Sequence, residues 1–213
     1  MSNKSYPLLI FLHGRGQYGN AEMDLELLTN EGILEVMQSG RYPGTFRVDG
    51  MDKTMIVVCP QFRYYPGADE IAGLVEFLIK KYKGDKSQVH IAGMSAGGRL
   101  AAEAVAEQPD LYASLVTFSG VAVGSGLKNK CRRIVDAEIP LWIFHNDHDE
   151  YTSIETSKLF ISVFNSLNPK VLPRYTIFPA WGLYGHDSWT KGTDPGFTEN
   201  GKNIYQWMLQ FHK

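Results

Sequence analysis

Several residues of this sequence could together activate a hydroxyl group for attack on a carbonyl carbon. Each of them follows an apolar segment. Ser95 lies in Gly-Met-Ser-Ala-Gly, and His186 lies in Gly-His-Asp-Ser-Trp. Between them, Asp147 and Asp149 come directly after another apolar run. A serine is a poor nucleophile until a base accepts its proton, histidine is the usual base near neutral pH, and a carboxylate must orient that histidine. The combination predicts nucleophilic catalysis at Ser95 with His186 as the base.

Ser95 stands at the junction of a predicted strand and a predicted helix. An apolar run that begins at Val89 leads into the Gly-x-Ser-x-Gly turn, and an alanine-rich helical pattern continues to about Ala106. A serine at the apex of such a strand–turn–helix lies on a strained turn that exposes its hydroxyl above the sheet. Gly93 and Gly97 are needed because the strand and the helix pass too close for side chains.

Apolar segments of strand length alternate with helical patterns along the chain. Strands are predicted at residues 7–13, 55–59, 89–94, 115–118, 141–144 and 174–178. Helices are predicted at about 20–38, 68–83, 96–106, 153–167 and 201–211, with a long loop at 121–138. Strands that are apolar on both faces and separated by helices favour an α/β fold, with a mostly parallel sheet of about six strands covered by helices on both sides. Ligands of such sheets bind beyond the carboxyl ends of the strands, where all the residues named above lie.

Composition and charge exclude several functional classes. The chain has 213 residues and a formal net charge of −2, which predicts no attraction to nucleic acid or to an anionic membrane. No apolar run reaches the roughly 18 residues of a membrane span. The first six residues are polar and show no signal-peptide core, which favours a cytoplasmic location. Cys59 lies in a strand pattern and Cys131 in a polar loop, so a disulfide is not indicated.

Four motifs resemble those of the α/β-hydrolase superfamily, in which Ser, Asp and His follow different strands in that order. The motifs are Leu12-His13-Gly14-Arg15-Gly16, Gly93-Met94-Ser95-Ala96-Gly97, Phe144-His145-Asn146-Asp147-His148-Asp149 and Gly185-His186-Asp187-Ser188-Trp189. They span almost the whole chain, which is most similar to the phospholipase/carboxylesterase, dienelactone hydrolase and polyhydroxybutyrate-depolymerase-like branch. The resemblance implies one α/β-hydrolase domain over residues 1–213 without a large cap domain. The family's first two strands are missing, and Asn146 stands where relatives usually have glycine.

The resemblance also implies roles for particular residues. Relatives place the acid of the triad four residues after a histidine, which gives Asp149 when counted from His145, with Asp147 as the alternative. The oxyanion hole needs two backbone donors, one of which is the amide after the nucleophile, at Ala96. The family pattern places the second donor at the amide of Arg15, with the amide of Gly16 as the second choice.

Aromatic residues in loops at the active end of the sheet are candidates for a substrate pocket. Tyr64, Trp181 and Tyr184 are assigned to substrate binding, because aromatic rings there could form an apolar acyl or alcohol site. Without a cap domain, the site is expected to be open, with residues 121–138 as a candidate partial lid.

Two of these motifs have competing interpretations. The loop from Gly14 to Gly19 matches Gly-x-Gly-x-x-Gly, but the next strand ends in Cys-Pro-Gln rather than in the acid that a dinucleotide site requires. The cluster of histidines and aspartates at 145–149 contains possible metal ligands, but adjacent residues rarely converge on one ion. We therefore expect neither a cofactor nor a metal.

The expected activity is that of a serine carboxylesterase that cleaves small or extended esters through an acyl-enzyme on Ser95. A peptidase or acyltransferase could use the same triad, and a non-catalytic binding protein of this fold would have at least one triad member broken. The expected partner is a small-molecule ester, and the sequence makes no prediction about oligomeric state.

Overall fold

The computed structural model describes residues 5–179 and 185–213. The elements are β1 Tyr6–Leu12, α1 Gly32–Gln38, β2 Phe46–Val48, β3 Met51–Lys53, β4 Ile56–Val58, α2 Ala68–Tyr82, β5 Gly84–Met94, α3 Ala96–Glu107, β6 Ser114–Phe118, α4 Leu127–Asp136, β7 Leu141–Asn146, α5 Ile154–Asn165, β8 Arg174–Phe178, α6 Trp189–Thr193 and α7 Ile204–Met208. Among the helices in the two described ranges, none has the length and apolar character required to cross a membrane.

Six of these strands form a parallel sheet in the order β4-β1-β5-β6-β7-β8. The predicted α/β class and the sheet of about six strands are confirmed. Met94 pairs with Phe118, and Phe118 pairs with Phe144, so that β5, β6 and β7 end side by side. Because the strands are parallel, the loops that follow them emerge at one edge of the sheet.

Each face of the sheet has its own apolar core. Alternate residues of β1 show this division: Leu8 and Ile10 belong to the core on the side of α2, α3, α4 and α5, whereas Leu9 and Phe11 belong to the core on the side of α1, α6, α7 and the β2–β3 hairpin. Side chains of a strand alternate between the two faces, and a parallel sheet is covered on both. The central strands β1, β6 and β7 are therefore largely apolar on both faces.

The helix predicted at 20–38 is wrong in extent. A 3₁₀ turn occupies Leu25–Leu28, and α1 begins only at Gly32. Gly32 has φ of +61°, and a Cβ atom there would lie 2.9 Å from the ring of Phe11. A positive φ is incompatible with a continuous helix, so the backbone turns at this glycine and starts again.

The long loop predicted at 121–138 is also wrong, because α4 lies within it. Leu127, Cys131 and Ile134 are buried on one side of α4, at the spacing of a helix face. The remaining residues of α4 are largely charged, which hid this narrow apolar stripe in the sequence. Cys131 is consequently a core residue and not a loop residue.

The C-terminal part differs from the expected single helix. The helix predicted at 201–211 is the short α7, which is capped by Asn203 with a reciprocal contact from Gln206. The additional helix α6 directly follows the segment that contains His186. The segment between α1 and the strand β4 contains the β2–β3 hairpin.

Truncation of isoleucine on the sheet should separate central from edge packing. Ile143 on β7 is fully buried, whereas Ile177 on β8 is 45% exposed. Ile143→Ala should lower the free energy of unfolding by about 2–5 kcal/mol through lost burial and a residual cavity. The matched Ile177→Ala change should cost less than about 1 kcal/mol. Urea unfolding of both variants measures the difference, and equal losses would contradict this division of the core.

Candidate active site

The turn at Ser95 has the strained geometry expected of a serine at a strand–helix junction. Its φ and ψ are 53° and −119°, between the end of β5 and the start of α3. A Cβ atom on Gly97 would lie 2.2 Å from the carbonyl oxygen of Leu12, and one on Gly93 would lie 2.3 Å from the carbonyl oxygen of Gly97. The close approach of strand and helix is therefore present at both glycines. A non-glycine residue keeps this conformation only because its surroundings enforce it.

A third glycine, Gly120, packs directly against the Ser95 turn. A Cβ atom on Gly120 would lie 2.0 Å from the carbonyl oxygen of Ser95. The amide of Ser95 donates a hydrogen bond to the carbonyl of Phe118 at 2.7 Å, which holds the turn against the end of β6. Sequence reasoning did not assign Gly120 to the site, although its place directly after a strand was a usable signal.

The structure brings Ser95, His186 and Asp149 together. Nε2 of His186 lies 2.8 Å from Oγ of Ser95, and Nδ1 of His186 lies 2.7 Å from Oδ2 of Asp149. The carboxylate of Asp149 can only accept, so Nδ1–H donates to it and Nε2 is left to accept the hydroxyl proton of Ser95. The His186 side chain is 16% exposed and that of Asp149 is fully buried. This arrangement can transfer a proton from the serine to the imidazole.

The buried carboxylate of Asp149 accepts hydrogen bonds on both oxygens. Oδ1 accepts from the amides of Tyr151 and Thr152 at 2.9 and 2.8 Å. Oδ2 lies 3.1 Å from Nε2 of His145, in addition to its contact with His186. Burial raises the pKa of Asp149, but hydrogen bonds from the two histidines and the Thr152 amide outweigh it and hold the pKa below its usual value. Asp149 is therefore an anion at neutral pH.

The alternative acid lies elsewhere in the same loop. The Asp147 carboxylate is 41% exposed and lies 2.9 Å from Nδ1 of His148, which is itself 84% exposed. The structure thus places Asp149 against His186 and Asp147 beside His148 at the surface.

Two backbone amides are available near the Ser95 hydroxyl. Ala96 is the first residue of α3, so its amide has no partner within that helix. Arg15 begins a 3₁₀ turn that ends at Gln17, and the preceding Gly14 packs against Ser95, because a Cβ atom on it would lie 3.5 Å from the Cβ of Ser95. The loop that carries the Arg15 amide is therefore directly beside the serine.

The side chain of His13 holds the loop after β1 in place through hydrogen bonds. Its Nε2 accepts a hydrogen bond from the Phe62 amide at 3.0 Å, so Nδ1 carries the proton and donates to the carbonyl of Gly14 at 2.7 Å. Burial lowers the pKa of His13, although the bond to Gly14 opposes this effect. A neutral, buried His13 has a structural role that the sequence alone did not indicate.

A cavity of about 1010 Å³ surrounds the Ser95 hydroxyl. Besides Ser95 and His186, it is lined among others by Tyr65, Arg99, Val121, Tyr151, Asp187 and Trp189. Tyr151 is 80% exposed, which shows that the cavity opens to the surface. It is large enough for an extended ligand.

The structure describes one of the three aromatic residues that the sequence assigns to substrate binding. Tyr64 does not line the cavity, because its side chain points to the surface and its hydroxyl donates to Glu70 at 2.6 Å. The neighbouring Tyr65 lines the cavity instead. Trp181 and Tyr184 lie outside the described residues. From the predicted lid segment, Val121 and Val123 contribute to the wall.

The cavity also contains an acidic residue that sequence reasoning missed. Glu31 lines the wall and accepts a hydrogen bond from Nε2 of Gln17 at 2.7 Å. Burial raises the pKa of Glu31, the Gln17 contact opposes this, and the residue interacts electrostatically with Asp187 and His186. No motif surrounds Glu31, and only the fold brings it to the site.

The competing motifs take other forms in the structure. The loop after β1 continues into a single 3₁₀ turn and not into an α-helix whose N-terminus could face a pyrophosphate. In residues 5–179 and 185–213, no group of three or more His, Cys, Asp or Glu side chains is arranged to hold a metal ion.

The fold is that of an α/β-hydrolase, and its site joins a serine, a histidine and an aspartate by hydrogen bonds. A thermostable esterase superposes with a TM-score of 0.71 at 21% identity, covering 99% of this chain and 56% of that one. The feruloyl esterase module from Clostridium thermocellum superposes with a TM-score of 0.62 at 15% identity, covering 88% and 74% of the two chains. At such identities the likeness concerns the fold, and it confirms the α/β-hydrolase resemblance.

Within this class, the chain belongs to the prolyl oligopeptidase family. The family's sequence profile matches residues 66–172, just over half of the 213 residues. The matched segment includes Ser95 and Asp149 and ends before His186.

Shorter matches relate the chain to proteins that are named as esterases. It is 39% identical over 62 residues to the probable acetylxylan esterase A of Aspergillus clavatus, which is 29% of this chain and 20% of that protein. It is 33% identical over 54 residues to feruloyl esterase B of Thermothelomyces thermophilus, covering 25% and 19% of the two chains. The matched segments thus span about a fifth of the length of these relatives.

Substitution at Gly120 should damage the Ser95 turn without touching any reacting group. Gly120→Ala should lower the rate of Ser95 labelling by a fluorophosphonate about a hundredfold, because its new methyl group displaces the backbone of the serine. Gly73→Ala is the matched control, since Gly73 is exposed on α2 with no atom within 4 Å of the added Cβ. Labelling per folded molecule measures both, and equal rates would contradict the proposed constraint.

Proposed function

We propose that this protein is a serine carboxylesterase. The observation that carries the proposal is the continuous hydrogen-bonded chain from Ser95 Oγ through His186 to Asp149, at 2.8 and 2.7 Å. These distances are within the range of productive proton transfer. A non-catalytic protein of this fold would be expected to lack such a chain.

The reaction proceeds in two halves. Ser95 Oγ attacks the ester carbonyl while its proton moves to Nε2 of His186, and the Asp149 carboxylate stabilises the imidazolium that forms. The amides of Ala96 and Arg15 donate to the developing oxyanion. The tetrahedral intermediate then collapses, the bond to the alkoxy group breaks, and His186 returns the proton to the leaving alcohol. In the second half, His186 accepts a proton from water while the water oxygen attacks the acyl carbonyl carbon. The bond to Ser95 Oγ then breaks, His186 returns the proton to Ser95, and the free acid leaves.

The cavity and the relatives suggest the class of ester. Two of the matched proteins are named acetylxylan esterase and feruloyl esterase, which places acetyl and feruloyl esters first among the candidate substrates. A cavity of about 1010 Å³ exceeds the needs of an acetyl group, so it has room for an extended acyl or alcohol part. Acetylated xylan and methyl ferulate, assayed beside short p-nitrophenyl esters, distinguish these possibilities.

A serine peptidase is the second candidate. The family to which the chain belongs takes its name from an oligopeptidase, and the same triad can attack an amide carbonyl. Aminoacyl p-nitroanilides test this candidate. Turnover of these amides with no turnover of esters would favour the peptidase.

Replacement of the nucleophile is the most direct test. Ser95→Ala should lower kcat/KM for p-nitrophenyl acetate and butyrate by at least about a thousandfold, because no acyl-enzyme can form. Equal rates for the variant and the wild type would rule out Ser95 as the nucleophile.

The two neighbouring aspartates provide a matched test of the acid. Asp149→Asn should lower kcat by about ten-thousandfold, because an amide favours the wrong tautomer of His186 and does not stabilise its cation. Asp147→Asn should leave kcat nearly unchanged, since Asp147 pairs with His148 at the surface. Steady-state kinetics on both variants measure the effect, and the reverse order would assign the role to Asp147.

A further inference from the structure

His145, the fifth residue of β7, contacts the same carboxylate oxygen of the triad acid as His186 does. Its ring is fully buried, and Nε2 lies 3.1 Å from Oδ2 of Asp149 and 2.8 Å from the carbonyl oxygen of Thr152. Both of these neighbours accept hydrogen bonds, so Nε2 carries a proton. Nδ1 lies 2.7 Å from the hydroxyl of Ser157 on α5. His145 is thus a donor to Asp149 whose ring is held at both nitrogens.

The next residue, Asn146, contacts the segment that carries the base. Its Nδ2 donates to the carbonyl of Gly185 at 2.8 Å, and both groups are buried. Gly185 directly precedes His186 and packs tightly, because a Cβ atom on it would lie 1.9 Å from the carbonyl oxygen of His148. Consecutive side chains of a strand point to opposite faces. One strand end can therefore reach the acid with one side chain and the base-bearing segment with the next.

We propose that His145 and Asn146 form a positioning pair that sets the distance and orientation between Asp149 and His186. His145 fixes the carboxylate, and Asn146 fixes the backbone at Gly185. The pair does not contact the reacting atoms. The proposal concerns the reaction assigned above and rests on that proposed function.

Loss of the His145 donor has a predictable electrostatic consequence. Asp149 would then present more of its negative charge to His186, which favours the imidazolium. The acidic residues Glu31 and Asp187 line the cavity together with His186, and His145 faces Ser157 and the Thr152 carbonyl. None of these would replace the lost donor. The acid limb of the pH–rate profile should therefore move to higher pH, where enough neutral His186 remains.

Paired substitutions at His145 separate positioning from packing. His145→Met fills a similar volume without a donor and should lower kcat by about tenfold to a hundredfold, with little change in KM. His145→Gln places an amide nitrogen near the position of Nε2 and should restore most of the activity. The acid limb should shift upward in the methionine variant and return in the glutamine variant.

A second buried histidine is a matched control. His90 on β5 is also fully buried, and its Nδ1 lies 2.9 Å from the hydroxyl of Ser114, at the amino end of β6 and away from the site. His90→Met should lower stability while leaving kcat per folded molecule and the pH profile unchanged. Circular dichroism and thermal melting of each variant give the folded fraction to which rates are referred.

Asn146 is tested by an apolar residue of the same shape. Asn146→Leu removes the donor to Gly185 and should lower kcat by about tenfold. Wild-type kcat in Asn146→Leu would remove Asn146 from the pair.

The possible results of these experiments distinguish a failure of the positioning role from a failure of the proposed esterase function. Equal kcat and pH profiles for wild type and His145→Met, or equal damage in the methionine and glutamine variants, would overturn the positioning role of His145. The proton between His186 Nδ1 and Asp149 gives an independent readout by NMR, and its downfield signal should broaden or shift in His145→Met but not in His90→Met. An unchanged signal would also overturn the role. A wild type that neither hydrolyses esters nor reacts with a fluorophosphonate would instead refute the proposed function.

Discussion

The close contact between backbones around Ser95 is the constraint on which the rest of the site depends. Gly97 lies against the carbonyl of Leu12, and Gly120 lies against the carbonyl of Ser95. The ends of β1, β5 and β6 and the start of α3 can meet only because no side chains separate them. This packing holds Ser95 at a positive φ and brings the loop after β1 beside its hydroxyl. One contact region therefore positions Ser95 and the loop that carries the Arg15 amide.

The second requirement is a buried charge that must be satisfied. A carboxylate removed from water needs several donors, and Asp149 obtains them from two amides of its own loop and from two histidines. Each donor also restricts where the carboxylate can lie. Because His186 is one of the donors, a hydrogen bond that satisfies the buried carboxylate also orients the His186 ring. The same network extends to Ser157 on α5 through His145.

Most of the sheet was predictable because buried parallel strands form short, continuous apolar runs. The runs at β1, β4, β6, β7 and β8 were recognised with small errors at their ends. The helix α4 was missed, since its apolar stripe of Leu127, Cys131 and Ile134 is narrow within a charged segment. The break at Gly32 was missed because nothing near it in the sequence shows that the ring of Phe11 packs there.

The sequence by itself determined the chemical groups and their order: a serine on a glycine-rich turn, two candidate acids, and a histidine after the last strand. These follow from local rules, because turn geometry and strand periodicity depend on neighbouring residues. Only the tertiary structure decided which aspartate meets His186, that Tyr65 rather than Tyr64 faces the cavity, and that Glu31 and His145 belong to the site. Those choices depend on distances between residues far apart in the chain. The positions of α1 and α5 on the sheet and of β7 within it set these distances, and local sequence does not encode them.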